Sequence, residues 1–99
     1  MITPIELRHI MHQNPELSFQ EFNTTKLLID NISELKTPSL KIHMPLQTGF
    51  IAEYHVNDGE YLLFRADIDA LPVKEETDCL FKSCNDFMHA CGHDVHASI

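Results

Sequence analysis

The feature that most constrains the fold is an uninterrupted apolar run, YLLF, at residues 61–64. Half-buried strands alternate apolar and polar residues, whereas a strand covered on both faces is apolar throughout. Two segments with strand patterns precede the run, at residues 40–44 and 50–56, and Asn-Asp-Gly at 57–59 is a turn signal. The run therefore predicts an inner strand of an α/β layer structure.

Two helices are predicted before these strands. Thr-Pro-Ile-Glu at residues 3–6 is a capping box with proline at the first helical position, and helical spacing of apolar residues continues to about Gln13. A second capping box at residues 18–21 predicts the start of a longer amphipathic helix, which Thr-Pro at residues 37–38 ends. Helices followed by strands indicate an α/β chain.

Size and charge limit the classes of function. A chain of 99 residues with 43% hydrophobic and 22% charged residues is typical of one small globular domain. Its formal net charge of -8 argues against nucleic acid or an anionic membrane surface as a partner, because binding phosphates requires a basic patch. No apolar run approaches the roughly 20 residues of a membrane span.

Cysteine usage indicates the compartment. The three cysteines are an odd number, and no apolar N-terminal signal segment precedes them. A secreted disulfide scaffold is therefore not expected, and we expect free thiols in a reducing cytoplasm.

Charged residues follow the apolar run directly. Arg65, Asp67 and Asp69 share one face if the strand continues, because side chains alternate across a strand. Carboxylates at the carboxyl end of an inner strand occupy the usual place for a site in an open α/β sheet. An ordinary Arg-Asp surface pair explains them equally well.

The stretch MHACGHDVH at residues 88–96 is the densest group of metal-competent side chains. Thiolate and imidazole are both good ligands for a cation such as Zn²⁺, and Cys91 and His93 are two residues apart around Gly92. His89 and His96 flank this pair, and we expect a helix capped by Asp94 to follow. A closed zinc site needs four protein ligands, so this stretch predicts only part of a site.

Other polar residues are expected to be ordinary. His9 and His12 lie three residues apart on the first predicted helix, where solvated histidines are commoner than ligands. Glu75 and Glu76 lie in a predicted loop, residues 73–88, where adjacent acidic residues are usually solvated.

Four blocks of the sequence resemble a known family, the metallo-amidohydrolases and peptidases of the aminoacylase family. The closest branch contains hippurate hydrolase, N-acetyldiaminopimelate deacetylase and the plant auxin-conjugate hydrolases. The blocks are LRHIMHQNPELSFQEFNTT (residues 7–25), TGFIAEY (48–54), FRADIDALPVKEET (64–77) and MHACGHDVHAS (88–98). The resemblance implies that the chain forms the N-terminal part of a three-layer α/β catalytic domain, residues 1–99, without the rest of that domain or the dimerisation domain.

The resemblance also implies a site and an activity. Cys91 and His93 would be ligands of a two-metal centre, with Asp69 as an orienting carboxylate behind it and Asp67 as a weaker candidate. His89, Asp94 and His96 belong to the motif without an implied metal role. The general-base glutamate would lie beyond Ile99, so we expect the 99 residues alone to be inactive.

The implied reaction is metal-assisted hydrolysis of an N-acylated amino acid, a small molecule, to an acid and a free amino acid. The ligands suit Zn²⁺, Mn²⁺, Ni²⁺ or Co²⁺ without choosing among them. Two alternatives stay open: a non-catalytic module holding one ion with Cys91, His93 and one or two of His89, His96 and Cys84, or an inactive truncated remnant that self-associates as a homo-oligomer through an exposed sheet edge.

Overall fold

The computed structural model of the chain describes all residues, 1–99. Its regular elements are three helices and one two-stranded antiparallel sheet. In chain order they are α1 (Pro4–Gln13), α2 (Phe22–Ser33), β1 (Leu40–His43), β2 (Ile51–Tyr54) and α3 (His93–Ser98). The prediction of an α/β chain with two N-terminal helices followed by strands is confirmed.

Helix α1 begins as its capping box predicts. The Thr3 hydroxyl accepts a hydrogen bond from the Glu6 backbone N–H at 3.2 Å, and the Glu6 carboxylate accepts one from the Thr3 backbone N–H at 2.8 Å. The two bonds satisfy donors that a helix start otherwise leaves unpaired. The helix ends at Gln13, and Asn14 takes a non-helical conformation before Pro15.

Helix α2 begins later than its predicted capping box. The prediction for residues 18–21 is wrong, because Phe19 turns the chain with φ +65° and Glu21, the N-cap residue, makes no side-chain capping bond. The Glu16 carboxylate caps this helix instead, accepting from the backbone N–H groups of Thr24 at 2.6 Å and Asn23 at 3.2 Å. The helix ends at Ser33, earlier than residues 37–38 predicted.

The sheet is a hairpin in which β1 and β2 pair from Leu40 with Tyr54 to His43 with Ile51. No third strand joins it, and the chain at residues 60–69 forms no regular structure. The side chains of Leu62, Leu63 and Phe64 are 87%, 88% and 90% exposed. The predicted inner strand at 61–64 is therefore wrong for this chain, because a strand needs a neighbour that pairs its backbone and covers its side chains.

The apolar core lies between the helices. Leu7 and Met11 of α1 and Leu28 of α2 are its buried members. The partly buried side chains that pack against them are Ile2, Leu27, Phe50, Ile68 and Ala97. Since Ala97 belongs to α3, this core holds the metal-competent stretch against α1. None of the three helices combines the length and the apolar content that crossing a membrane requires.

Helix α3 begins one residue earlier than predicted. Gly92 is its N-cap with φ +76°, a left-handed conformation that glycine adopts without strain, and Val95 and His96 N–H both donate to its carbonyl at 3.1 Å. Asp94 lies inside the first turn and its side chain is fully buried. The prediction that Asp94 caps this helix is wrong, because its carboxylate is held by side chains of α1.

Candidate metal-binding site

Backbone hydrogen bonds bring the aspartates of residues 67–69 to the start of α3. Ala70 N–H donates to the Glu16 carbonyl at 2.7 Å, and Leu71 and Met88 exchange two bonds, at 2.9 Å and 3.0 Å. The chain around Ala70, which is 3% exposed, is therefore held between the segment before α2 and the segment before α3. These hydrogen bonds, rather than pairing with neighbouring strands, therefore position Asp67 and Asp69 near the start of α3.

Asp69 and His93 form the centre of the candidate site. The Nδ1 atom of His93 lies 2.9 Å from Asp69 Oδ1 and 3.0 Å from the Asp69 backbone carbonyl oxygen. A carbonyl oxygen can only accept, so Nδ1 carries the proton. In the neutral ring Nε2 then has a free lone pair, which is the arrangement of a metal-binding histidine with a carboxylate behind it.

Asp67 lies on the other side of the same ring. Its Oδ2 is 3.8 Å from His93 Nε2, while its Oδ1 accepts a hydrogen bond from Arg65 at 2.6 Å. The predicted grouping of Arg65, Asp67 and Asp69 is thus observed as proximity, although the residues form no strand. A carboxylate near the free nitrogen adds an oxygen donor of the kind that divalent cations bind.

Cys91 is the other predicted ligand. Its thiol is free, exposed and without a hydrogen-bond partner, two residues before His93 across the turn at Gly92. Thiol, imidazole and carboxylate groups together fit a borderline divalent cation. The metal roles of Cys91 and His93, and the supporting roles of Asp69 and Asp67, stay predictions.

The flanking histidines of the motif differ in their surroundings. His96 is exposed, whereas His89 is 4% exposed and neither of its ring nitrogens has a hydrogen-bond partner. Burial lowers the pKa of His89 because it disfavours the charged imidazolium, and the nearby Asp94 carboxylate partly opposes this. His89 is therefore a neutral side chain at physiological pH.

A buried polar group beside the site was missed by the sequence analysis. His12 is 4% exposed, with Nδ1 at 2.8 Å from Asp94 Oδ2 and Nε2 at 3.0 Å from Glu75 Oε1. Arg8 Nε also lies 3.0 Å from Asp94 Oδ2, without hydrogen-bond alignment. The prediction that His12 is solvated is wrong, because α3 and the loop cover this face of α1. The only sequence signal was the spacing of Arg8 and His12, which puts them on one face of the helix.

Glu75 is the second buried acid of this group and is 2% exposed. Burial alone would raise its pKa, but hydrogen bonds from the Thr77 hydroxyl, the Ser83 backbone N–H and His12 lower the pKa to about 2. Glu75 is therefore ionised at all ordinary pH values. The prediction of a solvated side chain is wrong for Glu75, while Glu76 is exposed as predicted.

A protein-family model matches the C-terminal part of the chain. Residues 63–99 match the model of peptidase family M20/M25/M40. The matched segment contains Asp67, Asp69, Cys91 and His93. It covers the whole candidate site and begins near the end of the exposed apolar run.

Curated relatives match nearly the whole chain. An uncharacterized hydrolase of Staphylococcus epidermidis is 49% identical over 92 residues, which are 92% of this chain and 23% of the relative. An uncharacterized hydrolase of Staphylococcus haemolyticus is 47% identical over 92 residues, which again are 92% of this chain and 23% of the relative. The chain thus spans about a quarter of the length of these relatives.

A solved structure shares the fold. The Bacillus subtilis YXEP protein, a dinuclear metal binding peptidase from the M20 family, superposes with a TM-score of 0.86 at 43% identity. The alignment covers 96% of this chain and 27% of the YXEP protein. The arrangement of helices and hairpin described above is therefore similar to that of the corresponding part of the YXEP protein.

Proposed function

We propose that the chain is the N-terminal part of the metal-binding catalytic domain of an M20-type amidohydrolase. The observation that carries the proposal is the Asp69–His93 pair, which fixes the proton on Nδ1 and leaves Nε2 available to a cation. The family match over residues 63–99 and the likeness to a dinuclear metal binding peptidase support it. The free thiols agree with a reducing cytoplasm as the proposed location.

The proposed substrates are N-acylated amino acids of the hippurate or N-acetyl type, cleaved to an acid and a free amino acid. The motifs around residues 64–77 and 88–98 support this substrate class by their resemblance to the aminoacylase family. Two divalent cations, when bound, acidify a water and polarise the scissile carbonyl. The task of this chain is to hold them with Cys91 and His93, while Asp69 fixes the His93 ring.

A non-catalytic module with a single ion fits the geometry less well. That alternative needs His89, His96 or Cys84 to join Cys91 and His93. The structure instead exposes His96 and buries His89, and the Cys84 thiol lies 3.7 Å from the Asn14 side chain. The one group of three His, Cys, Asp or Glu ligand atoms within mutual reach lies elsewhere.

A chimera tests the proposal. The first quarter of the YXEP protein is replaced by residues 1–99, and release of free amino acid from a panel of N-acyl amino acids is measured with and without a chelator. We expect metal-dependent turnover that is lost in His93→Ala and Cys91→Ser chimeras and kept in a Cys84→Ser chimera. The isolated 99-residue chain, assayed in parallel, should show none.

Two results would contradict the proposal. One is a chimera that releases no amino acid from any member of the panel although the intact YXEP protein does. The other is turnover that survives both His93→Ala and Cys91→Ser. Turnover by the isolated chain would show that the general base lies within residues 1–99.

A further inference from the structure

A second group of potential metal ligands does not include Cys91 or His93. It consists of His12 on α1 with Glu75 and Cys79 in the following loop. Their donor atoms all lie within 4.8 Å of one another. His12 and Glu75 are buried and Cys79 is partly buried, so solvent does not separate them.

The distances within this group are close to those of a zinc site. His12 Nε2 is 3.0 Å from Glu75 Oε1, and the Cys79 Sγ is 3.4 Å from Glu75 Oε2. Ligand bonds of 2.0–2.3 Å at tetrahedral angles put neighbouring donors about 3.3–3.8 Å apart. Since the three donor atoms lie within 4.8 Å of one another, rotation of the side chains would bring them around one ion.

The second ring nitrogen of His12 has the carboxylate contact that supports a metal-binding histidine. Its Nδ1 lies 2.8 Å from Asp94 Oδ2, and the Asp94 side chain is fully buried. A carboxylate on the far nitrogen orients an imidazole and raises its basicity, which is the usual support of a metal-bound histidine. The Asp94 contact is independent of Glu75 and Cys79.

Charge favours occupation by a divalent cation. Glu75 supplies a carboxylate, and a metal-bound Cys79 is a thiolate. A dication neutralises these two negative groups in a buried position, where unpaired charges are costly. A metal-bound Cys79 gives its thiol proton to solvent, and His12 binds through an unprotonated Nε2.

We propose that His12, Glu75 and Cys79 form a second cation site, separate from the Cys91–His93 site. One nitrogen, one oxygen and one sulfur donor select a borderline cation such as Zn²⁺ or Co²⁺ over Mg²⁺ or Ca²⁺. Because Cys79 is partly exposed, the fourth ligand would be a water from solvent. The ion would join the loop to α1, and this proposal does not depend on the proposed enzyme activity.

Cobalt titration of the 99-residue chain under reducing conditions tests the site. All variants carry Cys91→Ser, which removes the thiol of the other site. We expect one Co²⁺ per chain, with the near-ultraviolet charge-transfer band of a cobalt-thiolate bond. The band should disappear when Cys79→Ser is added and persist when Cys84→Ser is added. Adding Asp94→Asn should weaken cobalt binding roughly 10- to 100-fold.

Three outcomes would overturn the proposal. They are no thiolate band in the Cys91→Ser chain, a band that survives Cys79→Ser, or a band lost with Cys84→Ser. Far-ultraviolet circular dichroism accompanies each titration, so that a loss of the band is compared at equal helix content. Because Cys91 is absent throughout, failure here leaves the proposed enzyme site untouched.

Discussion

Replacing Glu75 by glutamine probes the buried polar group that joins α1 to the loop. Glu75 Oε1 accepts from His12 Nε2 at 3.0 Å and from the Ser83 N–H at 2.9 Å, and Oε2 accepts from the Thr77 hydroxyl and the Cys79 thiol. Glutamine has one oxygen and one NH₂ group, so an NH₂ group replaces the carboxylate oxygen that accepts two of these hydrogen bonds. The buried His12 would also lose a negative partner.

The expected cost follows from these contacts. Hydrogen bonds to a charged group contribute about 1.5–3 kcal/mol each, and the NH₂ group of glutamine replaces the acceptor of two of them. We therefore expect Glu75→Gln to lower the free energy of unfolding by about 3–5 kcal/mol. That is a large part of the roughly 5–15 kcal/mol available to a domain of this size.

Acid should destabilise the folded chain through the same Glu75 carboxylate. The pKa of Glu75 falls from 4.5 in the unfolded chain to about 2 in the folded chain, so the unfolded chain binds more protons between these values. The stability contributed by ionised Glu75 is complete above pH 4.5 and is lost as the pH falls to about 2. This shift corresponds to roughly 3 kcal/mol, similar to the cost of the substitution.

Urea denaturation followed by circular dichroism measures the cost of the substitution and the acid sensitivity. The measurements are made with a chelator present, at neutral pH and at a pH midway between 2 and 4.5. Glu76→Gln is the matched control, because Glu76 is exposed and surface substitutions change stability by about 0.5 kcal/mol or less. A Glu75→Gln chain as stable as this control, or one that keeps the acid sensitivity of the unsubstituted chain, would refute the reasoning.

Three further substitutions, two of them paired with a control substitution, address the helix ends and the exposed apolar run. Thr3→Ala should cost about 1 kcal/mol of unfolding free energy through loss of the α1 cap, whereas Ser18→Ala, outside any cap, should cost almost nothing in the same denaturation assay. Gly92→Ala should cost about 1–2 kcal/mol because φ is +76° with no atom within 4 Å of the new Cβ, and equal stability would contradict that strain. Leu63→Lys should reduce self-association in sedimentation velocity, since Leu63 is 88% exposed in an apolar run. Leu80→Lys, at an isolated leucine that is 100% exposed, should leave sedimentation unchanged.

Local signals predicted the elements whose stabilising contacts are local. The capping box at residues 3–6 places the start of α1 correctly, because its hydrogen bonds join residues three apart. The period-two pattern near Leu40 identifies β1, whose partner β2 follows after a short loop. The second box failed because Glu16, which lies outside it, supplies the α2 cap.

The features of the candidate site also divide into those that local sequence signals predicted and those that they did not. The motif around Cys91 and His93 indicated metal chemistry from residue type and spacing alone. The Asp69–His93 contact joins residues 24 apart and was expected only through the resemblance to a family. The His12–Asp94 contact joins residues 82 apart, and nothing local to either residue predicted it.

By itself, the sequence determined the helix-then-strand order, the start of α1 and the metal-competent character of residues 88–96. These depend on backbone propensity, capping and side-chain chemistry, which are properties of short segments. Only the tertiary structure decided that residues 61–64 stay unpaired and that His12 and Glu75 are buried. Strand pairing and burial depend on which distant segments meet, so the same apolar run or the same charged residue has different environments in different folds.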